Sequence, residues 1–382
     1  MKHLHIHIMA ALVAMAGLNA CENDDQYTLD DIKAMVPDTI SICWNGNSVA
    51  VEGDVAGYVT CDNGYVTVNS TAQRQLTYVL SGTTTQGQLL IYGQKKLELV
   101  LNDLNITNPT GPAINNQCGK SLFITCPAGT TSTLTDGADY DTSLSIDQKG
   151  ALFSEGQIYF RGAGSLSVTG HYKNAIASDD YIVMDSTATC TLNVVSTNGN
   201  GVKANDGFFM YGGAMDISVS ADGAKGIKCD SILTMTGGDL HIATSGNVVI
   251  ETVDGVADAS SCAAIKVAYV LTMAGGNMTL ESSGDGGKGI NADQDVVMTG
   301  GTLNANCTGE KVEDDEGETI SNPKAVNSDG HIYLSGGSFN AYSANGRATD
   351  CAIDDIQSDR YPTIIGTPTT RTLTKKRVVV VF

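Results

Sequence analysis

The chain has little that is basic, aromatic or helical. Lys and Arg total 22 against 42 Asp and Glu, a formal charge of −20. Nucleic-acid binding depends on neutralising phosphates, so this balance argues against a nucleic-acid partner. Trp44 is the only tryptophan and lies outside the recurring units described below, so no aromatic platform for neutral sugars is expected. The sequence has no CxxC pair, no zinc-ligand pattern and no histidine at a catalytic spacing from a cysteine. No stretch keeps its apolar residues at a 3.6-residue period for three turns, which excludes helical repeats. After the N-terminal leader no apolar run is long enough to span a bilayer as a helix.

What the chain does have is a repeat. GVKANDGFFMYGGAM from Gly201 recurs as GIKCDSILTMTGGDL from Gly226, AIKVAYVLTMAGGNM from Ala264, GINADQDVVMTGGTL from Gly289 and AVNSDGHIYLSGGSF from Ala325. Weaker copies begin at Ala113, Gly150 and Ala175. Successive starts are 37, 25, 26, 25, 38, 25 and 36 residues apart: a unit of about 25 with three insertions. Within a unit the apolar positions alternate, as in Ile227 and Cys229, then Leu240 and Ile242, which is the period of a strand. Three short strands and three turns fill about 25 residues, too few for the four strands of a propeller blade. The predicted fold is all-β, a right-handed parallel β-helix with coils of about 25 residues. One inward ladder is expected to read Ile114, Ala151, Ile176, Val202, Ile227, Ile265, Ile290, Val326. Its neighbour should read Ser178, Ala204, Cys229, Val267, Ala292, Ser328. The Gly-Gly pairs 212–213, 237–238, 275–276, 300–301 and 336–337 mark corners that need positive φ or close backbone approach.

Residues 1–20 read as a secretory signal, and Leu18-Asn19-Ala20-Cys21 resembles a bacterial lipobox. That resemblance makes Cys21 the lipidated first residue of the mature chain and the membrane anchor. Glu22, Asn23, Asp24 and Asp25 resemble the signal that sends lipoproteins of some Gram-negative bacteria to the outer face of the outer membrane. Residues 21–37 are expected to be an acidic tether, 38–355 the β-helix, and 356–382 an atypical C-terminal cap or extension. The remaining cysteines are expected to be buried thiols, with a Cys118–Cys126 disulfide left open.

Several strings carry a wider resemblance: LTYVLSGTTTQGQLLI (76–91), LELVLNDLNITNPTGPAI (97–114), TSTLTDGADY (131–140), KGALFSEGQIYFRGAGSLSVTGHYKNAIASDD (149–180) and NGRATDCAIDD (345–355). Together they resemble a family of bacterial carbohydrate-binding β-helix proteins with a pectate-lyase-like fold. The resemblance implies binding of plant-wall polysaccharides and of calcium.

Acidic residues fall in columns that suit these implied roles. Glu155, Asp179, Asp230, Asp293 and Asp329 recur just past the repeat start, with Asp180 and Asp206 beside the column, and Asp147, Asp222 and Asp285 precede it. Asp179, Asp180, Asp206, Asp222, Asp230, Asp285, Asp293 and Asp329 are the candidate calcium ligands. A ladder of Asp and Asn side chains bonding the local backbone is the alternative. Asp222 with Asp230, and Asp285 with Asp293, are expected to flank one Gly-rich turn in each coil. Lys203, Lys228 and Lys266 form a lysine column that could meet sugar acids or simply balance charge. The acidic segment 310–318 reads as solvated and without regular structure.

Three function classes follow. The favoured one is a calcium-assisted binder of acidic glycans such as polygalacturonate. A structural surface protein or adhesin without a sugar ligand is the alternative. A polysaccharide lyase is disfavoured, because Arg161 and Arg347, the arginines of the repeat body, do not sit beside a multi-Asp cluster.

Overall fold

The structure, a computed structural model, describes residues 38–382 except 144, 254–255, 315–316, 352–366 and 375. The expectations for Cys21, for the leader and tether, and for 356–366 lie outside the described residues. Asp38–Phe382 forms one compact unit built from strands.

Each repeat unit supplies three strands, and each strand pairs in parallel with its counterpart in the next unit. The first ladder has twelve strands, from Val59–Asp62 to Arg347–Cys351. The second contains Ile158–Gly162, Tyr181–Met184, Gly207–Met210 and Ile232–Met235; the third contains Ser165–Gly170, Thr191–Ser196, Ala214–Val219 and Asp239–Thr244. At the N-terminal end the second and third ladders are joined. Leu97–Thr107 is long enough to pair with Leu122–Cys126 at its start and with Thr131–Thr135 at its end.

The register follows the inward ladder. Ile176 faces Val202, then Ile227, Ile265, Ile290 and Val326 in turn, and all of these are buried. One member differs from expectation: Leu152, and not Ala151, pairs with both Ile114 and Ile176. The unit therefore starts at Ala151, one residue later than its Gly-Ala suggested, because Gly150 mimics the glycine that opens other units. The small-residue ladder from Ser178 to Ser328 holds throughout. On the second ladder a buried methionine row, Met184, Met210, Met235, Met273 and Met298, fills the interior. Unbranched, polarizable side chains suit a row whose spacing is imposed by the backbone.

The second glycine of each pair has positive φ: 71° at Gly213, 84° at Gly238, 79° at Gly276, 83° at Gly301 and 85° at Gly337. A Cβ at Gly238 would lie 2.7 Å from the Gly213 carbonyl oxygen, so conformation and space both demand glycine there.

Antiparallel hairpins stand at the ends of the stack. Ser48–Glu52 pairs with Thr39–Asn45, and Val59–Asp62 with Tyr65–Ser70. At the other end Arg377–Val381 runs antiparallel to Ser338–Ser343 and is followed outward by Thr370–Leu373. Such strands limit the open edge that would otherwise recruit another chain. Two insertions also form hairpins, Val249–Val253 with Val256–Ser260 and Val312–Glu313 with Thr319–Ser321. The expectation of an unstructured 310–318 is thus corrected: Asp314 Oδ1 accepts the Glu318 N–H at 2.8 Å and closes the turn, giving the acidic segment a local partner. Cys118, Cys126, Cys190, Cys229, Cys262 and Cys307 are buried free thiols and Cys43 and Cys61 exposed ones, so Cys118 and Cys126 are not bridged.

Candidate functional site

Period two turns every second residue of a strand outward, and on the first ladder this aligns Lys203, Lys228, Lys266, Asn291 and Asn327 on consecutive coils. Stacked ammonium groups one coil apart repel unless something offsets them. The column of acids supplies the offset. The Lys203 ammonium binds Asp230 and the Lys266 ammonium binds Asp293, in each case a lysine of one coil reaching the aspartate of the next. Lys228 is the exception. The residue of the following coil at the aspartate position is Ala268, and Lys228 has no carboxylate partner among the described residues. The lysine column is therefore charge-balanced at two positions and unbalanced at one.

Lys203 also lines an open groove of ≈ 490 Å³ with Lys149, Lys173, Asn174, Asp179 and Asp230. At its edge Tyr172 stacks on Tyr140 with ring centroids 4.3 Å apart. The segment before Gly150 folds back over this face, because Asn115 and Gln117 donate to the Asp147 carbonyl at 3.1 and 2.8 Å. That fold-back brings oxygens of Asp147, Glu155 and Asp179 within 4.8 Å of one another. Lys149 lies among them, 2.7 Å from Asp147 and 2.5 Å from Asp179. Burial and then the neighbouring Asp179 and Asp147 carboxylates push the Glu155 pKa up. Burial works against the Lys149 charge, but hydrogen bonds to Asp147 and Asp179 outweigh it and raise its pKa.

The other candidate ligands are dispersed. Asp222 Oδ1 accepts the Asn247 N–H at 2.7 Å, Asn247 Oδ1 accepts the Asp285 N–H at 2.9 Å, and Asp285 Oδ1 accepts the Glu310 N–H at 2.9 Å. This is a turn ladder running coil to coil. Asp222 and Asp230 do not flank one turn, since the strand Lys225–Cys229, about 16 Å long, lies between them and they face different partners. Lys288–Ala292 separates Asp285 from Asp293 in the same way. Asp180 Oδ1 caps the Tyr181 N–H at 2.9 Å, while Asp206 and Asp329 are exposed. Of the eight aspartates expected as ligands, Asp179 alone falls in the carboxylate cluster, and its companions Asp147 and Glu155 come from outside that set. With the unit starting at Ala151, Glu155 takes the same fourth position as Asp179 and Asp230, which the sequence could have revealed.

Sequence reasoning also missed an aromatic feature. Trp44 is buried, donating its Nε1–H to the Gly64 carbonyl at 2.8 Å. Yet five tyrosine and phenylalanine rings form a continuous chain on the outer side of the second ladder. The sequence carries no repeat signal for them, since Phe123 aligns with Tyr159 but Tyr181 with Gly207, and Phe209 is followed by Thr234.

Comparison with known proteins adds the family. A solved polysaccharide lyase-like protein from C. thermocellum is similar over 71% of this chain and 95% of its own, at 21% identity and a TM-score of 0.46. No curated protein matches the chain. The model of the carbohydrate-binding domain-containing protein family matches twice, over residues 62–267 and 191–354, an overlap natural for a chain of repeated coils. The two matches together run from 62 to 354, well over half of the sequence, and the chain belongs to this family of carbohydrate-binding domain-containing proteins.

Proposed function

We propose that this chain is a surface-anchored, calcium-assisted polysaccharide-binding protein for acidic plant-wall glycans such as pectin or polygalacturonate, wound as a right-handed parallel β-helix. The observation that carries the reading is the row of ammonium groups on the outer face of the first ladder, with Lys228 uncompensated within it. A polyuronate presents carboxylates at regular intervals along an extended chain. A rigid stack presents cations at regular intervals of one coil, about 4.8 Å. In a protein of net charge −20, such a row gives an acidic polymer a local attraction against the overall charge.

Asp147, Glu155 and Asp179 are the residues that would hold calcium, being hard oxygen donors that already crowd one another. A bound ion would relieve their repulsion and, bordering the groove, could bridge to a sugar carboxylate. It would have to displace Lys149 from two of the three. Catalysis is not part of the proposal: a β-elimination needs a base, and Lys149, the basic side chain at the acids, is held in its charged form by them. Arg161 reaches Asp185 at 3.7 Å and Arg347 reaches Asp350 at 3.6 Å, each away from the cluster.

Labelled polygalacturonate titrated with and without a chelator, with absorbance of unsaturated product followed in the same tube, tests the reading. Calcium-dependent binding without a rise in absorbance is expected. No binding in either condition returns the adhesin alternative, and a rise in absorbance returns the lyase. Surface anchoring through Cys21 is tested separately: Cys21→Ala should release the protein from membranes, and resistance of the wild type to protease on intact cells would contradict display on the surface.

A further inference from the structure

The residue just before the repeat start forms a column of its own on the first ladder. Lys225 faces Ala263, Ala263 faces Lys288, and Lys288 faces Lys324. These positions share the strand parity of the buried Ile227 and Ile290, so they lie at the inner side of a corner and not on the outer face. The fold does not require an amine there, since Ala263 fills the same place between two lysines.

Other lysines of the coils are answered by acids: Lys149 by Asp147 and Asp179, Lys203 by Asp230, Lys266 by Asp293 and Lys324 by Asp350. Half-buried Lys288 meets no carboxylate among the described residues. Its Nζ donates to the Ser261 hydroxyl, which lies 3.3 Å from that of Ser321, and both serines are buried. The groups that act on its charge are the ammonium groups of Lys324, Lys266 and Lys225 and the Cys307 thiol. Lys225 is its counterpart two coils away, but the Lys225 ammonium donates to the Gly223 carbonyl, which can only accept. A hydroxyl can also donate, so Lys288 keeps its hydrogen bond after losing a proton. Burial and then Lys324 bring the Lys288 pKa down to about 8. At about pH 7.5 roughly one such amine in four is neutral, against about one in a thousand for an ordinary lysine.

We propose that Lys288 is a carbamate-forming lysine, a modification site that takes up carbon dioxide. The neutral Nζ donates its lone pair to the carbon. A C–N bond forms as one C–O π pair moves onto oxygen, and an N–H proton leaves to water. Nothing is oxidised or reduced. The product turns a positive group among the ammonium groups of Lys225, Lys266 and Lys324 into a negative one, so repulsion becomes attraction. Ser261 can then turn its hydroxyl proton toward a carbamate oxygen. Carbon dioxide is small and uncharged, which suits an amine set beside two buried serines better than a bulky electrophile does. The proposal does not depend on glycan binding.

The test uses the full chain at about pH 7.5 with isotopically labelled bicarbonate, which supplies carbon dioxide. Carbamates are trapped by O-ethylation with triethyloxonium and located by peptide mass spectrometry. The Lys288 peptide should carry the ethyl carbamate at about ten times the occupancy of exposed Lys120 or more. Ser261→Ala keeps the amine and should lower the occupancy severalfold. Bicarbonate should raise the melting temperature of wild type above that in equimolar chloride, because the adduct belongs to the folded chain. Lys288→Arg keeps the positive charge and should lose both the adduct and the rise. The comparison of Lys288 with Lys120 within wild type holds even if a variant fails to fold. Equal occupancy at the two lysines, or no adduct on Lys288, overturns the proposal.

Discussion

The outer faces of the first and second ladders solve the same problem in opposite ways. Both are sheets turned to water over one continuous core, yet one carries lysines answered by aspartates of the next coil and the other a row of touching rings. The difference lies in what each face can offer a partner. Charge pairs that are satisfied within the protein give little away; the useful group is the one left over, Lys228. Rings that satisfy one another edge to face still leave their outer sides open. A single solenoid can thus present a charged and an uncharged surface without altering its backbone.

The comparison breaks first if the common core is disturbed. Ile227→Asp places an unpaired carboxylate on the innermost ladder and should cost several kcal/mol, lowering stability for both faces together. Thr234→Asp, outward on the second ladder, should cost well under 1 kcal/mol in the same urea melts. Equal losses from the two would contradict the inward and outward assignment.

A second break separates buried from exposed lysines. Lys288 is half-buried beside the end of the first inserted hairpin, its ammonium donating to Ser261 Oγ, and burial followed by Lys324 lowers its pKa to about 8. Its ordinary value is 10.5, so between about pH 8 and 10.5 the unfolded chain holds the proton that the folded one has lost. The contribution of Lys288 to stability should therefore rise with pH through that window and be lower below pH 8, whereas buried thiols such as Cys126 and Cys307, whose pKa burial raises, act in the opposite direction above about pH 9. Lys288→Met should stabilise the protein at neutral pH by about 1–3 kcal/mol, and that advantage over wild type should shrink toward pH 10. Urea melts at about pH 7.5 and pH 10 measure both effects.

Calcium sharpens the comparison from the charged side alone. An ion held by the folded protein at about a hundred times its dissociation constant adds about 2.7 kcal/mol and raises the melting temperature. Asp147→Asn with Glu155→Gln should remove that rise. An unchanged melting temperature in wild type would leave Lys149 as the cluster's permanent counter-ion.

How much of this was legible in the sequence depends on whether a feature repeats. Ile227, Ile265 and Ile290 share one position in successive units, and their alignment could be read directly, as could the positive-φ glycines of the Gly-Gly pairs. The lysine column was legible for the same reason, but its pairing was not. Which lysine meets an acid depends on the residue of the next coil, and Ala268 breaks the pattern for Lys228 alone. The Asp147, Glu155 and Asp179 cluster was hidden because a non-repeating segment brings Asp147 over the face. The ring stripe was hidden because its members change register: Phe123 and Tyr159 face each other directly, whereas Tyr181 aligns with Gly207 and meets Phe209 two residues on. The turn ladder through Asp222 and Asp285 was not legible because a carboxylate that caps a backbone N–H and one that binds an ion look alike in sequence.

The charged face rests most directly on Lys228. Polygalacturonate should be titrated into wild type and Lys228→Glu at one calcium concentration, with melting temperatures recorded for both. Reversal of the one uncompensated charge in the row should weaken binding about tenfold, or about 1.4 kcal/mol, while the melting temperature stays as it is. Equal polygalacturonate affinities for the two proteins would contradict the assignment of this face to acidic glycans.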